Sequence, residues 1–424
     1  MKILIKQGYV LDPATKTEGI RDVLIEDDKI AKVTATIEDQ ADYVIDATGK
    51  YVMPGFIDLH VHLREPGFEY KETIETGVHA AARGGYTTIC PMPNTKPTTD
   101  CKEVVEYVVM KAKELGMVHV LPVGAVTKGQ LGEELCDYKG MKEAGICAIS
   151  EDGKSVMETA LYSRAMVEAR KENLTVFAHC EDRSLVRGGV INAGKKAEEY
   201  GLKGITNSVE DVIVARDILI AKETDCRLHL CHCSTEDSVR LVKMAKEMGL
   251  PVTAEVCPHH FTLSDEDITR NHGDFKMNPP LRSPQDVEAL KKGLQEGIME
   301  VISTDHAPHG QEENDQTMDK APFGIVGMET AFSLGVTELV RKGYLTKLQL
   351  VEKMSTNPAK ILGIEKGSLA SGCTADLVIA DFDKEVVIDV NQFASKGKNT
   401  PFDGTKVYGQ VEMTICDGKI VYQI

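Results

Sequence analysis

Tryptophan is absent from the 424 residues, and aromatics make up only 5% of them. Stacking platforms for single-stranded nucleic acid are therefore not expected. Basic excess is missing as well: Lys and Arg number 49 against 66 Asp and Glu, a formal net charge of -17. A footprint on nucleic acid or on an anionic membrane needs the opposite balance. No apolar run approaches the ~18 residues of a membrane-spanning helix. Met1 to Tyr9 alternate apolar residues with lysine and lack the apolar core of a signal peptide. The eleven cysteines include no CxxC pair, and the expectation is reduced thiols in a cytoplasmic protein. Cys231-His232-Cys233 reads the same way. On an extended strand His232 points opposite to both sulfurs, which favours buried thiols over a thiolate metal site. Neither GxGxxG nor GxxxxGK followed by Ser or Thr is found, which counts against an open nucleotide-binding sheet.

What remains is a long chain of ordinary composition that changes rhythm twice. The first ~53 residues read as strands over Ile3–Leu11, Asp22–Val33 and Tyr43–Ala47, with turns at Asp27-Asp28 and Thr48-Gly49. The last ~60 read likewise, over Ala375–Asp381, Glu385–Asp389, Val411–Cys416 and Lys419–Tyr422, the last two joined by the hairpin signal Asp417-Gly418. Residues 1–53 and 366–424 are thus expected to build one small β domain from both termini. Between them, short apolar runs alternate with amphipathic stretches. The runs are Phe56–His62, Thr87–Pro91, His119–Val126, Ile146–Ser150, Thr175–His179, Arg227–His232, Val252–Cys257 and Val301–Asp305. Helical patterns include Glu103–Leu115, Glu158–Glu172, Val209–Glu223, Asp237–Met248 and Pro284–Gly297, with Ser208 and Ser283 as caps. Eight strands each followed by a helix predict an α/β fold, a (β/α)8 TIM-like barrel over 54–365.

The polar residues that need explaining fall at the C-terminal ends of those runs. His60 and His62, spaced by two, share one face of a strand. Run four ends in Glu151-Asp152, run five in His179, run six in His232 and run eight in Asp305. In a closed barrel these ends meet at one mouth, where active sites form. Four His and two Asp make an N/O donor set that suits zinc, and also Mn, Co or Ni. Six donors exceed one catalytic zinc and suit two metals sharing a carboxylate and a hydroxide. Arg64 lies two residues beyond His62, so on an extended strand it faces the same way, with a planar fork suited to a carboxylate.

The ordered set then resembles the amidohydrolase superfamily and, locally, the dihydroorotases of the long bacterial type. It comprises Pro54-Gly55-Phe56-Ile57-Asp58-Leu59-His60-Val61-His62-Leu63-Arg64, Met92-Pro93-Asn94-Thr95, Glu151-Asp152-Gly153, Ala178-His179-Cys180-Glu181-Asp182, Met277-Asn278-Pro279-Pro280 and Thr304-Asp305-His306-Ala307-Pro308-His309. The closing Gly367-Ser368-Leu369 and Ala375-Asp376-Leu377 extend the likeness from end to end. That resemblance implies a small β-sandwich beside the barrel and two divalent ions, Zn2+ first among them. His60, His62 and Asp305 would hold the first ion, His179 and His232 the second, with Asp152 bridging. It implies that Arg64, Asn94 and Asn278 bind the substrate carboxylate and its surroundings, with His309, Phe323 and Gly324 completing the pocket. Asp305 would be the general base and acid in the reversible opening of dihydroorotate to N-carbamoyl-L-aspartate, a step of pyrimidine synthesis. A homodimer and an association with aspartate carbamoyltransferase are further expectations. One departure stands out: many relatives bridge their metals with a carboxylated lysine at the end of strand four. Here Asp152 must do so unless Lys154 reaches back. Hydantoinases and allantoinases share barrel and metals but act on rings without a carboxylate, so Arg64 discriminates against them. Dihydropyrimidinase-like scaffolds are expected to lack the ligands present here. His259 and His260 at the mouth of strand seven have no forced role. His79, His119, His229 and His272 read as core or surface residues. Gly310–Ala321 reads as a solvated loop first and a lid second.

Overall fold

The chain begins with five strands, β1 (Lys2–Asp12), β2 (Thr17–Glu26), β3 (Lys29–Thr34), β4 (Tyr43–Asp46) and β5 (Tyr51–Pro54). The computed structural model describes residues 1–424. The middle supplies β6 (Phe56–Val61), β7 (Tyr86–Pro91), β8 (His119–Val120), β9 (Val123–Ala125), β10 (Ala148–Ser150) and β11 (Thr175–Ala178). After the short pair β12 (Ile191–Asn192) and β13 (Gly204–Ile205) come β14 (Leu228–Leu230), β15 (Val252–Val256) and β16 (Val301–Ile302). The chain ends in β17 (Leu377–Val387), β18 (Lys406–Cys416) and β19 (Lys419–Gln423).

The two ends of the chain share one eight-stranded sheet, ordered β19-β18-β17-β5-β1-β2-β3, with β4 pairing β1. Asp417 and Gly418 sit at φ 49° and 70°, the left-handed pair that a two-residue hairpin needs. A Cβ on Gly418 would lie 1.8 Å from the Asp27 carbonyl oxygen, so the position requires glycine. The two runs expected over 375–389 are one strand. Asp381 Oδ1 accepts from the amides of Asp383 and Lys384, and the register shifts there in a bulge that joins the two runs.

The middle strands pair in parallel, β6-β7-β8 in one sheet and β16-β15-β14-β11-β10-β9 in another. Each of the eight expected runs holds strand. The third divides at Leu121-Pro122, where Pro122 has no N–H to give; its first half pairs with β7 and its second with β10. β6, β7, β10, β11 and β14 are buried at every position, as parallel strands covered on both faces must be. One apolar cluster draws Ile57, Cys90, Val123, Ala148, Phe177 and Val301 from both parallel sheets. Val61 also bridges in parallel to His306. The helices follow expectation within one or two residues, and Ser283 caps Pro284–Gln295 in a reciprocal box with Asp286. Ser208 caps nothing: the helix Ser208–Thr224 starts there, after a helical Asn207 whose side chain donates to Asp286 instead.

Asp376 marks the seam between the two kinds of sheet. Its backbone carbonyl accepts from Gly55, and its carboxylate meets His119 at 3.2 Å and Lys366 at 2.5 Å. Burial pushes this carboxyl up, but the His119 hydrogen bond and the Lys366 charge outweigh it and hold the pKa at about 2, against 3.8 when free. A folded-state pKa below the unfolded one adds stability that is present above the unfolded value and fades as pH falls through the folded one. Asp376→Asn should therefore cost about 2 kcal/mol at pH 7 and roughly half that at pH 3. Urea unfolding at both pH values measures it, and an equal cost at both would contradict the linkage.

Candidate metal centre and substrate pocket

The six expected ligands converge. Asp152, following β10, occupies the middle. Its Oδ1 lies 3.1 Å from His60 Nε2, 3.5 Å from His179 Nδ1 and 3.9 Å from His232 Nε2, while Oδ2 lies 3.5 Å from His62 Nε2. Asp305 Oδ1 lies 3.0 Å from His62 Nε2 and 3.5 Å from His60 Nε2. His179 Nδ1 and His232 Nε2 stand 2.8 Å apart. Donor atoms of His60, His62 and Asp305, and of His60, Asp152 and His232, fall within 4.8 Å of one another in each trio. The Nε2 atoms of His60 and His179 are buried without a hydrogen-bond partner, an expensive state for an imidazole nitrogen unless a cation takes the lone pair. Burial pushes both carboxyls up, but the facing imidazoles prevail and hold Asp152 and Asp305 below their ordinary range. Ionised carboxylates and buried imidazoles fit a hard-to-borderline divalent ion.

Local backbone, more than strand periodicity, aims these groups. β6 ends at Val61, β14 at Leu230 and β16 at Ile302, earlier than the apolar runs suggest. Arg64, His232 and Asp305 then adopt φ 62°, 34° and 48°, left-handed turns that cost a non-glycine residue roughly 1 kcal/mol and cluster at functional sites. The extended-strand argument for Arg64 therefore fails, although its side chain still lines the cavity. The argument for Cys231-His232-Cys233 fails for the same reason. Cys231 joins the inner apolar cluster and Cys233 the outer one, yet both are buried free thiols. Lys154 donates to the Gln130 carbonyl at 2.9 Å and makes no contact with the histidines.

A cavity of about 150 Å3 opens beside the cluster, lined by His62, Asp152, His179, His232 and Asp305 and by Arg64, Asn94, Asn278, Phe323 and Gly324. Asn94 joins two ligand side chains, its Oδ1 2.9 Å from His62 Nδ1 and its Nδ2 donating to Asp152 at 3.2 Å. Asn278 donates to Glu181 at 2.5 Å. Arg64 is half-buried, and its polar contacts are the Pro308 carbonyl at 3.1 Å and the His309 ring at 3.4 Å. No carboxylate of the chain forms an ion pair with it, although those of Asp305, Asp152 and Glu313 are near enough to favour its charge. His309 is 2.8 Å from the Phe323 carbonyl oxygen and 3.0 Å from Lys71 Nζ. Gly324 sits at φ 133°, where a Cβ would lie 2.5 Å from that of Ala307.

Two residues that sequence reasoning passed over belong here. Glu255 bonds to His60, and His229, read as a core histidine, bonds to Glu255. The signal was a lone charge inside the apolar run Val252–Cys257. His259 and His260 are buried, the latter against the Pro279 carbonyl. His79 is exposed, and His272 pairs with Asp315. Gly310–Ala321 is mostly exposed but anchored by buried Asn314 and Met318, and its Glu313 pairs with Lys71.

Comparison with known proteins bears on this arrangement. Residues 49–238 match a family model described as dihydro-orotase-like, and residues 322–422 one described as an amidohydrolase family. The dihydroorotase of Pelotomaculum thermopropionicum is 51% identical over 424 residues, spanning 100% of this chain and 99% of that protein. That of Acetivibrio thermocellus is 49% identical over 419 residues, spanning 99% and 98%. Among solved structures, an L-hydantoinase (dihydropyrimidinase) from Arthrobacter aurescens superposes with a TM-score of 0.89 at 29% identity, covering 99% of this chain and 96% of that one. A dihydropyrimidinase from Brevibacillus agri gives 0.85 at 25% identity, covering 100% and 95%.

Proposed function

The chain belongs to the dihydroorotase family, and from that membership we infer how its residues divide the work. It is a metal-dependent cyclic amidohydrolase with dihydroorotase activity in pyrimidine biosynthesis. One observation carries the detailed reading: the His/Asp donor cluster and the guanidinium of Arg64, which has no ion-pair partner of its own, share a single cavity. A substrate that is both a cyclic amide and a carboxylate matches both.

In our reading His60, His62 and Asp305 would hold one divalent ion, His179 and His232 would hold a second, and Asp152 would serve both; zinc is our assignment. When bound, such ions supply Lewis acidity for the scissile carbonyl and acidify water. Arg64 takes the ring carboxylate in a bidentate grip, and Asn94 and Asn278 hold its surroundings, which fixes the amide over the cluster. His309, tied to Phe323, closes that side together with Gly324. Asp305 accepts the proton of the attacking water as its oxygen bonds to the carbonyl carbon. It then returns that proton to the ring nitrogen as the C–N bond breaks, so one group serves as base and acid. The products of ring opening are a second carboxylate and a ureido group, as in N-carbamoyl-L-aspartate. The solved structures named above are a hydantoinase and a dihydropyrimidinase, so the test is turnover of dihydroorotate against hydantoin. Faster hydrolysis of hydantoin would overturn the substrate assignment.

The bridge has its own test. A carboxylated lysine needs carbon dioxide, whereas Asp152 is ionised already. Metal-free protein should reload equally with and without bicarbonate. Asp152→Ala should lose one or both ions, and Lys154→Ala should keep both and most activity. Metal analysis of the two variants decides, and the opposite pattern would move the bridge to Lys154.

We further propose that the two parallel sheets close into one (β/α)8 barrel over 54–365, supported by the Val61–His306 bridge and the shared apolar cluster. Residues 1–53 and 366–424 then form the β-sandwich domain. No helix is long and apolar enough to cross a membrane. A cytoplasmic location, a homodimer and association with aspartate carbamoyltransferase complete the proposal; light scattering of the protein alone and with that enzyme tests the last two.

A further inference from the structure

Glu255 is fully buried on β15 between Ala254 and Val256, and three donors converge on its carboxylate. Oε1 lies 3.0 Å from His60 Nδ1 and 3.1 Å from the His232 amide nitrogen. Oε2 lies 3.0 Å from His229 Nε2, whose Nδ1 is 2.8 Å from Thr253 Oγ1. A carboxylate offers only acceptors, and a hydroxyl can both give and take. The protons of the chain follow. His60 carries its hydrogen on Nδ1, so the lone pair of Nε2 faces the cluster. His229 carries a hydrogen on Nε2, and its Nδ1 meets the Thr253 hydroxyl, which also lies 3.5 Å from the Leu228 carbonyl oxygen.

We propose that Glu255, braced by His229, is a positioning residue that couples the two halves of the metal centre through one oxygen. That oxygen sets the tautomer and ring direction of His60, which both trios share, and it holds the backbone turn that presents His232 in the second. The proposal rests on the metal-centre reading above. A histidine ligand that donates its other ring N–H to a carboxylate is both oriented and made more basic. The second contact has its own physical use. His232 sits at φ 34°, and a hydrogen bond from its amide to a charged acceptor is about twice as strong as a neutral one, enough to hold that turn. His60 and His232 are contributed by strands distant in sequence, so a single carboxylate between them ties their relative position.

The backbone amide of His232 can only donate, which makes the test discriminating. In Glu255→Gln the side-chain oxygen must stay toward His232 and His60, and the new NH2 must face His229. His229 can accept it by moving its proton to Nδ1, where the Thr253 hydroxyl oxygen receives it while its hydrogen faces the Leu228 carbonyl. Glu255→Leu removes the acceptor altogether. Zinc affinity, measured by chelator competition, should fall 10- to 100-fold in the Leu variant and recover to within tenfold of wild type in the Gln variant. Zinc affinity of the Leu variant within threefold of wild type, or a Gln variant no tighter than Leu, would overturn the proposal. Two-bond 1H–15N spectra of histidine-labelled, metal-free wild type and Gln variant give a readout that does not depend on the Leu variant folding. His60 should carry its proton on Nδ1 in both, and His229 should shift from Nε2 to Nδ1 in the Gln variant alone. A His60 ring with no proton on Nδ1 in either sample refutes the role. Wild type that binds no divalent ion would refute the metal centre instead, and the tautomer spectra would still decide the role of Glu255.

Discussion

Asp305→Asn is expected to lower turnover of dihydroorotate at least ~100-fold, the usual scale for a group that moves a proton in the transition state. The substitution keeps volume and removes only the ability to take up and return a proton. Asp305 stands where that ability counts: after β16, turned by its φ of 48° over the cluster, with Oδ1 3.0 Å from His62 Nε2. kcat and kcat/KM should fall together, because the interaction lost is made only in the transition state. KM should hold, since Arg64 and the two asparagines are untouched. Metal content must be measured on the same sample, because Asp305 is also a proposed ligand. Near-native turnover with metal intact would remove Asp305 from the proton path.

Arg64→Ala should cost dihydroorotate about 3 kcal/mol in kcat/KM, on the order of 100-fold, the scale of losing one side of a buried charge-assisted pair. Hydrolysis of hydantoin, which has no ring carboxylate, should change little. The expectation rests on a guanidinium whose own contacts are a carbonyl and an imidazole, so its charge is left for a ligand. Arg64→Lys should recover only part of the loss, because an ammonium cannot reproduce the planar two-pronged grip. Equal losses on both rings would mean that Arg64 supports the turn after β6 rather than the substrate.

Much of this molecule is legible without coordinates. The eight apolar runs mark strands, because a parallel strand buried on both faces has no polar alternation to hide it. The polar residues that interrupt those runs at their C-terminal ends, His60, His62, Asp152, His179, His232 and Asp305, mark the donor cluster, because buried ionisable groups are too costly to be accidental. The hairpin at Asp417-Gly418 and the cap at Ser283 are equally local, set by the φ a residue can adopt and the donors within its reach. Ser208 shows the limit of such local rules, since Asp286, far along the chain, draws the neighbouring Asn207 away.

Tertiary structure alone decided what depends on contacts between distant strands. Periodicity extended the strand arguments to Arg64 and His232, but the strands stop short, and left-handed turns place those side chains instead. Lys154 and Asp152 are two residues apart and equally available on paper. Only in the fold does one carboxylate sit among four imidazoles while the ammonium turns to the Gln130 carbonyl. Glu255 read as an oddity in an apolar run until β14 and β15 came into register and laid it against His229, His60 and the His232 amide. Sequence determined which residues must be buried and which chemistry they carry, because those are properties of a residue and its near neighbours. Which buried polar groups face one another is set by register and closure across strands, a sum of long-range contacts that no local pattern contains.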